Sequence, residues 1–196
     1  MTLVKICGLM QPDDAQAINQ ARPDFAGFIF VPGKRRQISL AQATQLRHVI
    51  QPQIKTVGVF VDAPLAEMLA PLHQGIISVI QLHGHEPETT VQKLQAAGAQ
   101  VIQVQRHAAP TQADFVLYDA VQPGSGKTFD WQQLPAQPPR PFFLAGGLNL
   151  TNINNALTQV QPAGVDVSSG VETAGLKDPA KIAAFVQAVR QFDSEV

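Results

Sequence analysis

The sequence predicts a single-domain (β/α)8 TIM barrel, an α/β fold in which eight parallel strands form a closed ring inside a layer of helices. Eight short, almost continuously apolar segments recur along the 196 residues. Each is bounded by Gly, Pro, Asp or Ser, as is typical of strands buried on both faces. Helical segments alternate with them, which indicates right-handed crossovers. Eight strands favour a closed barrel over a doubly wound sheet of five or six.

The predicted strands are nearly uninterrupted runs of apolar residues. In chain order they cover residues 3–6, 25–30, 56–61, 79–82, 101–104, 115–118, 142–144 and 165–167. In a barrel, the carboxyl-terminal ends of all eight strands meet at one face, and the active site of such folds is built there. Residues that directly follow these segments are therefore the candidates for function.

Helices are predicted between most of the strands. Asp13 and Asp14 open the first, and Ser39 is expected to cap a helix over residues 40–50 in which apolar side chains repeat at i, i+3 and i+4. Residues 65–72 show the same repeat. Gly98 should end a helix over residues 88–97. Thr151 is expected to cap residues 152–160, and the last helix should span residues 178–192.

Helices five and six are predicted to be short or missing. Such barrels typically need about 250 residues, and about 200 is near the lower limit. Pro110 interrupts residues 105–113, and four prolines lie between residues 129 and 141. No linker, repeat or charge run divides the chain, so we expect one domain over residues 1–196.

The composition excludes several classes of protein. Hydrophobic residues make up 45% and charged residues 15% of the chain, which argues against intrinsic disorder, and the formal net charge of -1 gives no basic footprint for nucleic acid. No apolar run approaches the ~18 residues of a membrane span, and residues 1–10 leave no room for a signal peptide. We expect a cytoplasmic protein with no nucleic-acid or membrane partner, and a monomer, because no apolar interface is evident.

Two glycine-rich segments follow the seventh and eighth strands. Gly146 and Gly147 lead into a helix, and Ser168 and Ser169 precede Gly170 and a short extra helix. Loops at these places frequently bind phosphate in barrels, because glycine admits the oxygens to the backbone and helix N-terminal amides donate to them. Tight turns would also explain the glycines, but their presence after both strands favours a phosphate site.

Other candidates end the remaining strands. Cys7 follows Lys5 by two residues at the end of the first strand, and Asp119 ends the sixth. A thiol at the barrel mouth can act as nucleophile or base, although a lone cysteine is also a common core residue. Asp119 is likewise a candidate, although an aspartate at such a position is also a common turn cap. His83 follows the fourth strand and could be a ligand, a base or an ordinary loop histidine. Asp166 lies in the eighth strand.

A basic run, Lys34 to Arg36, lies after the second strand. A guanidinium is suited to bidentate capture of a carboxylate, so Arg36 is a candidate ligand as well as a simple solvated charge, and Arg35 could share that role. Carboxylates and histidines do not cluster at metal-ligand spacing, and one cysteine cannot build a zinc site. We therefore expect no metal.

Taken together, these segments resemble the phosphoribosylanthranilate isomerases, barrel enzymes of tryptophan biosynthesis. The matching stretches fall in order over nearly the whole chain: VKICG at 4–8, GFIF at 27–30 followed by Arg36 and by Ile38 and Ser39, VGVFV at 57–61, QLHG at 81–84, GSGKTFDW at 124–131, LAGGL at 144–148 and VDVSSGVE at 165–172. The sequence departs from the family at residues 121–124, which read VQPG where relatives often have a Gly-Gly pair.

The resemblance implies an Amadori rearrangement of a small phosphosugar, N-(5-phosphoribosyl)anthranilate, without metal or organic cofactor. It makes Cys7 the general base, Asp119 the general acid and Arg36 the ligand of the anthranilate carboxylate. It places the phosphate on backbone donors of Gly146, Gly147, Ser168 and Ser169. Lys5, His83 and Asp166 are expected as further substrate contacts.

Acid–base catalysis by this pair requires that the two pKa values approach each other. An ordinary thiol has a pKa of about 8.5 and an ordinary aspartate one of about 3.9. We expect burial to raise the pKa of Asp119 and a nearby positive charge, with Lys5 as its source, to lower that of Cys7.

Two other functions remain consistent with a phosphate-binding barrel. The first is another phosphate-binding barrel enzyme. Indole-forming ring closure would need a lysine and a glutamate at strand ends. A Schiff-base aldolase would need a lysine late in a strand, and only Lys5 comes near such a position. The other is a non-catalytic phosphosugar-binding protein in which Cys7 is a redox sensor or an inert core residue. Whether the analogous aminoaldose of histidine biosynthesis is also accepted is left open by the sequence.

Overall fold

Eight parallel strands close into a barrel in chain order, and the last pairs with the first. The computed structural model describes residues 1–119 and 130–195. The strands are β1 (Leu3–Cys7), β2 (Phe25–Ile29), β3 (Lys55–Phe60), β4 (Val79–Leu82), β5 (Gln100–Val104), β6 (Phe115–Tyr118), β7 (Phe142–Leu144) and β8 (Gly164–Val167). The predicted barrel is confirmed, and each predicted segment overlaps one of these strands.

Helices cover the outside of the barrel. They are α1 (Pro12–Ala21), α2 (Leu40–Val49), α3 (Leu65–His73), α4 (Glu88–Ala96), α5 (Ile153–Val160) and α6 (Pro179–Glu195). Ser39 caps α2 as predicted, since its hydroxyl accepts a hydrogen bond from the Gln42 amide at 3.2 Å. Gly98 follows α4 with a φ of 91°, the left-handed conformation that ends helices.

The predicted cap of α5 is wrong. The helix begins at Ile153 with Asn152 as its N-cap residue, not at Asn152 with Thr151 as its cap. The Thr151 amide and hydroxyl both donate to Oδ1 of Asn149, at 2.8 and 2.6 Å. This local turn, which asparagine side chains commonly form, occupies the threonine hydroxyl and moves the start of the helix by one residue.

The connection after β5 and the described part of the connection after β6 are reduced, as predicted. Residues 105–114 form no helix. Instead, the carboxylate of Glu88 holds this segment, because it accepts from the Gln112 amide at 2.6 Å and from the Thr111 hydroxyl at 3.0 Å. Between β6 and β7, residues 130–141 contain one turn of 3-10 helix, Trp131–Gln133. Most of the GSGKTFDW motif and the VQPG departure lie outside the described residues.

A short hairpin that the sequence analysis did not predict follows β8. A 3-10 turn, Ser169–Val171, leads into β9 (Glu172–Thr173), which pairs antiparallel with β10 (Leu176–Lys177). Gly175, in the turn between them, has a φ of 83°, which glycine adopts without strain. The hairpin carries two charged residues, Glu172 and Lys177, to the carboxyl-terminal end of the barrel.

Two apolar cores hold the fold together, one inside the barrel and one between the barrel and the helices. The inner core consists of Phe25, Val57, Val79, Ile102, Leu117, Phe143 and Ala145. The ring of Phe143 packs edge-on against Phe25 and Phe115, with centroid distances of 5.7 and 5.2 Å. Within residues 1–119 and 130–195, no helix has the length and apolar character needed to cross a membrane.

We predict that Gly164→Ala destabilises the barrel. A Cβ at this position would lie 2.4 Å from Cε1 of Phe143, and that ring cannot retreat because Phe25 and Phe115 pack against it. Overpacking of this kind lowers the free energy of unfolding by about 1–3 kcal/mol, which urea denaturation will measure.

The double variant Gly164→Ala/Phe143→Leu is the control for this packing account. Leucine removes the ring atoms that the added methyl group meets. The double variant should therefore lose less stability than the sum of the two single variants, as expected for residues in contact. Strictly additive losses would contradict the proposed clash.

Candidate active site

Side chains from four strands converge at the carboxyl-terminal end of the barrel interior. Successive side chains of a strand point to opposite faces, so every second residue continues the inner core toward this end. The predicted candidates among them are thereby brought together. The residues concerned are Lys5 and Cys7 of β1, Gln81 of β4 and His83 after it, Asp119 after β6, and Asp166 of β8.

Lys5 and Asp166 form an ion pair inside the barrel, on strands that are paired with each other. Lys5 Nζ lies 2.9 Å from Asp166 Oδ1, and the Lys5 side chain is fully buried. Burial alone would lower the pKa of Lys5, but the charges of Asp166 and Cys7 and the hydrogen bond to Asp166 outweigh it and raise that pKa. Lys5 is therefore a stable cation beneath the mouth of the barrel.

Cys7 is the sole cysteine and is buried at the end of β1. Burial raises the pKa of its thiol, the charge of Lys5 lowers it, and the charge of Asp166 raises it further, so that the net pKa lies above the ordinary value. The prediction that positive charge brings this pKa below the ordinary value is therefore wrong. Lys5 acts in the predicted direction, but loss of water around the sulfur outweighs its effect.

Close packing fixes the position of the Cys7 sulfur. Gly27 of β2 provides the space, since a Cβ there would lie 2.9 Å from Cys7 Sγ and 3.1 Å from Cys7 Cα. On the other side, the Ser168 hydroxyl donates to the Cys7 carbonyl at 2.9 Å. The end of β1 is thus tied to the loop that follows β8.

His83 is an uncharged imidazole beside Asp119. Its Nδ1 lies 3.1 Å from Nε2 of Gln81, and with this orientation of the amide Nδ1 accepts the hydrogen bond and the ring proton is assigned to Nε2. Burial lowers the pKa of His83 to about 4, and the charge of Lys5 acts in the same direction. His83 Nε2 finds no hydrogen-bond partner among the described residues, and it lies 3.6 Å from Oδ2 of Asp119. At neutral pH this contact is not an ion pair.

A cavity of about 560 Å³ opens on the side of the mouth formed by β4, β5 and β6. His83 and Asp119 line it together with Gln103, Arg106 and His107 from β5 and the helix-free segment that follows. Sites for small molecules commonly have volumes of roughly 300–1,000 Å³. The predicted general acid therefore faces a space large enough for a substrate.

The two glycine-rich loops lie side by side after β7 and β8. Gly146 and Gly147 have φ values of 84° and 67°, and a Cβ at Gly170 would overlap the Leu148 carbonyl oxygen. Within the described part of the chain, the amides of Gly146, Gly147 and Ser169 donate to no other group. These partly exposed amides suit an anion. The Ser168 hydroxyl, in contrast, is already bonded to Cys7.

Arg36 lies beside the mouth with one edge of its guanidinium on Glu172. Its Nε donates to Oε1 at 2.6 Å and its Nη2 to Oε2 at 3.1 Å. Arg35 also binds Glu172, at 2.6 Å, and the Gly175 carbonyl, and about half of its side chain is exposed. The two arginines therefore differ, because Arg35 binds the hairpin whereas Arg36 packs against Gly8, the residue after Cys7.

The sequence analysis missed three residues of the site, Gln81, Glu172 and Lys177. Burial raises the pKa of Glu172, but hydrogen bonds from Arg36 and Arg35 and the charge of Lys177 outweigh it and lower the pKa to about 2. Lys177 Nζ donates to Glu172 Oε1 at 3.0 Å and to the Ser168 carbonyl at 2.9 Å. Glu172 ends the VDVSSGVE stretch, which was a signal for it, but nothing near Lys177 in sequence marks that residue.

Comparison with known proteins identifies close relatives. The profile of the family described as N-(5'phosphoribosyl)anthranilate (PRA) isomerase matches residues 4–188. An N-(5'-phosphoribosyl)anthranilate isomerase of Lactiplantibacillus plantarum is 50% identical over 194 residues, which are 97% of this chain and 93% of the relative.

Solved structures agree with the sequence comparison. The phosphoribosyl anthranilate isomerase of Thermus thermophilus superposes with a TM-score of 0.87 at 30% identity, over 97% of this chain and 99% of that one. A phosphoribosyl anthranilate isomerase in complex with reduced 1-(o-carboxyphenylamino)-1-deoxyribulose 5-phosphate has a TM-score of 0.81 at 29% identity, over 97% of this chain and 100% of that one.

We predict that Lys5→Met raises the pKa of the Cys7 thiol. The substitution removes the cation that favours the thiolate and leaves the charge of Asp166, which disfavours it. Because Cys7 is the sole cysteine, the pH dependence of iodoacetamide alkylation and of thiolate ultraviolet absorbance will report this group alone. An unchanged profile in folded protein, checked by circular dichroism, would show that Lys5 does not act on the thiol.

Asp166→Asn is the matched control for the same electrostatic pair. It removes the negative charge and keeps Lys5, so the pKa of Cys7 should move in the opposite direction, downward. A rise in both variants would indicate that altered packing, not charge, controls the thiol.

Proposed function

The chain belongs to the N-(5'-phosphoribosyl)anthranilate isomerase family, and we propose that Cys7 and Asp119 carry out the reaction of that family by general acid–base catalysis. It is an isomerase of tryptophan biosynthesis that converts N-(5-phosphoribosyl)anthranilate, an aminoaldose, into 1-(2-carboxyphenylamino)-1-deoxyribulose 5-phosphate, an aminoketose. The observation that carries the mechanism is the placement of a buried thiol next to the Lys5 cation at the same end of the barrel as Asp119.

The charged ends of the substrate determine how it lies in the mouth. The phosphate rests on the backbone donors of Gly146, Gly147 and Ser169, whose amides donate to no other described group. The Ser168 hydroxyl does not join them, because it holds the Cys7 carbonyl at 2.9 Å, so Ser168 contributes through its backbone. The anthranilate carboxylate lies on Arg36, and the sugar therefore spans the interior between β2 and β7–β8.

The first step opens the furanose ring. Asp119 gives its proton to the ring oxygen, the bond from that oxygen to C1 breaks, and the nitrogen lone pair forms a protonated imine at C1. His83 presents its Nε2 proton to this region as a neutral donor, since its pKa of about 4 keeps it uncharged at neutral pH. It is the predicted substrate contact on the β4 side.

The second step transfers the proton of C2. The Cys7 thiolate takes this proton, the C–H electrons form a C1–C2 double bond, and the electrons of the imine return to nitrogen. The resulting enolamine gains a proton at C1 and loses one from O2 to give the ketone, so the sum is an isomerisation. Positive charge on the imine, added to that of Lys5, favours the thiolate when substrate is bound.

The single domain over residues 1–196, the monomeric state, the cytoplasmic location and the absence of a cofactor stay predictions.

We predict that Cys7→Ala and Asp119→Ala each lower kcat by about 10²–10⁴-fold, the usual contribution of a general acid or base. The substrate is labile, so it is formed in the cuvette from anthranilate and phosphoribosyl pyrophosphate by the preceding transferase, and loss of anthranilate fluorescence reports turnover.

Binding of the reduced product analogue serves as the folding control and should persist in both variants. Turnover that survives in Cys7→Ala would exclude this cysteine as the base, and turnover that survives in Asp119→Ala would exclude this acid.

The pH dependence of kcat/KM tests the assigned base independently. Because kcat/KM reports the free enzyme and the pKa of Cys7 lies above the ordinary thiol value of about 8.5, we expect the residual kcat/KM of Asp119→Ala, in which no acid titrates against the base, to rise with pH throughout the range from about 6 to 8.5. His83, with a pKa of about 4, contributes no inflection there. A plateau that begins near pH 6 would contradict the assignment of Cys7.

A further inference from the structure

We propose that Glu172 is a positioning residue for substrate binding, because it holds one edge of the Arg36 guanidinium and leaves the opposite edge for the anthranilate carboxylate. The inference rests on the proposed function, since it concerns the carboxylate of that substrate. It assigns a task to the hairpin β9–β10, which the catalytic steps themselves do not use.

The geometry of the guanidinium divides its donors into two edges. Nε and one N–H of Nη2 are parallel and form the side edge, which Glu172 occupies with both carboxylate oxygens, at 2.6 and 3.1 Å. The end edge, formed by Nη1 and the other N–H of Nη2, presents a second parallel pair. Among residues 1–119 and 130–195, no group accepts a hydrogen bond from Nη1. Arg36 can therefore bind two carboxylates at once.

Packing fixes the orientation of this end edge. Only 11% of the Arg36 side chain is exposed, and its stem lies against Gly8, where a Cβ would come within 2.5 Å of Arg36 Cδ. Gly8 follows Cys7 directly. The distance from the guanidinium to the catalytic sulfur is therefore set by backbone contact and not by a flexible side chain.

Glu172 is itself held by two further cations. Lys177 donates to its Oε1 at 3.0 Å and Arg35 to its Oε2 at 2.6 Å, and only 6% of its side chain is exposed. Lys177 also donates to the Ser168 carbonyl at 2.9 Å, in the loop assigned to the phosphate. One cluster of Arg35, Arg36, Lys177 and Glu172 thus connects the carboxylate site with the phosphate site. Its three cations and one anion give it a net charge of two positive units, which attracts an anionic substrate.

Two substitutions separate positioning from charge. Glu172→Asp keeps the negative charge but shortens the side chain by one methylene group, so it cannot reach both nitrogens of the side edge. Glu172→Gln keeps the size but removes the charge. For each variant we compare two probes, the reduced product analogue and its phenylamino counterpart without the carboxylate, and record the ratio of their Kd values by calorimetry.

In the wild-type protein the probe with the carboxylate should bind more tightly than the probe without it. We expect both variants to reduce the ratio of the two Kd values by about tenfold or more, because a charge-assisted hydrogen bond usually contributes that much to binding. The phenylamino probe should change by less than about threefold. KM should rise by about the same factor as the preference falls, with a smaller change in kcat. If Glu172 acted only through its charge, Glu172→Gln would increase the preference for the probe with the carboxylate, and Glu172→Asp would leave that preference unchanged. Either result would overturn the proposal.

Thr173→Val is the control for loosening of the hairpin. It removes the exposed hydrogen bond from the Thr173 hydroxyl to Asp178, 2.6 Å long, and leaves Glu172 in place, so the preference should stay at the wild-type value. An equal loss in Thr173→Val would overturn the proposal. A wild-type protein that prefers the carboxylate probe but shows no turnover would refute the proposed function and leave this inference standing. Equal binding of both probes would refute the inference even in an active enzyme.

Discussion

The buried ion pair between Lys5 and Asp166 is the constraint on which the rest of the site depends. A fully buried ammonium group needs a counter-charge, and removal of one member of such a pair typically costs about 3–5 kcal/mol because the other is left uncompensated. The pair lies on β1 and β8, where the barrel closes, so the register of closure and the charge beneath Cys7 are determined together. The thiol is thereby placed between two opposing influences, burial that raises its pKa and a cation that lowers it.

Local sequence patterns were sufficient for the barrel and for the general position of the site. Apolar runs and turn residues located all eight strands, and the two-residue alternation of side chains then placed Cys7, His83 and Asp119 at one end of the interior. One of the two failures was a local turn that the prediction overlooked, and the other depended on burial, which a local pattern does not contain. The cap of α5 was misplaced because Asn149 binds Thr151 first, and the pKa of Cys7 was predicted from charge without the loss of solvent that a closed barrel imposes.

The hairpin β9–β10 shows the same limit more strongly. Its strands are two residues each, too short for a periodic signal, and the residue that stabilises it from outside, Arg35, is 137 positions away from Glu172 in the chain. A charge pair at such a separation becomes visible only once the barrel has brought the loop after β2 beside the loop after β8. The basic run at residues 34–36 was therefore interpreted as a solvated charge or as a ligand for a substrate carboxylate, whereas two of its members also bind a carboxylate of the protein itself, that of Glu172.

The reduced size of the chain and the distribution of charge in the mouth have a common explanation. The helix missing after β5 and the 3-10 turn before β7 lie on the side where the cavity opens and where His83 is neutral. Lys5, Arg36, Lys177 and the glycine-rich loops lie on the other side, where α2 and α5 are present and a hairpin has been added, and Arg106 lies on the cavity side. Charged groups of a substrate need rigid donors, because their binding depends on orientation and on exclusion of water, whereas an uncharged ring needs mainly space. In the proposed mode of binding, the reduced connections therefore lie beside the uncharged part of the substrate, and the complete ones lie beside its phosphate and its carboxylate.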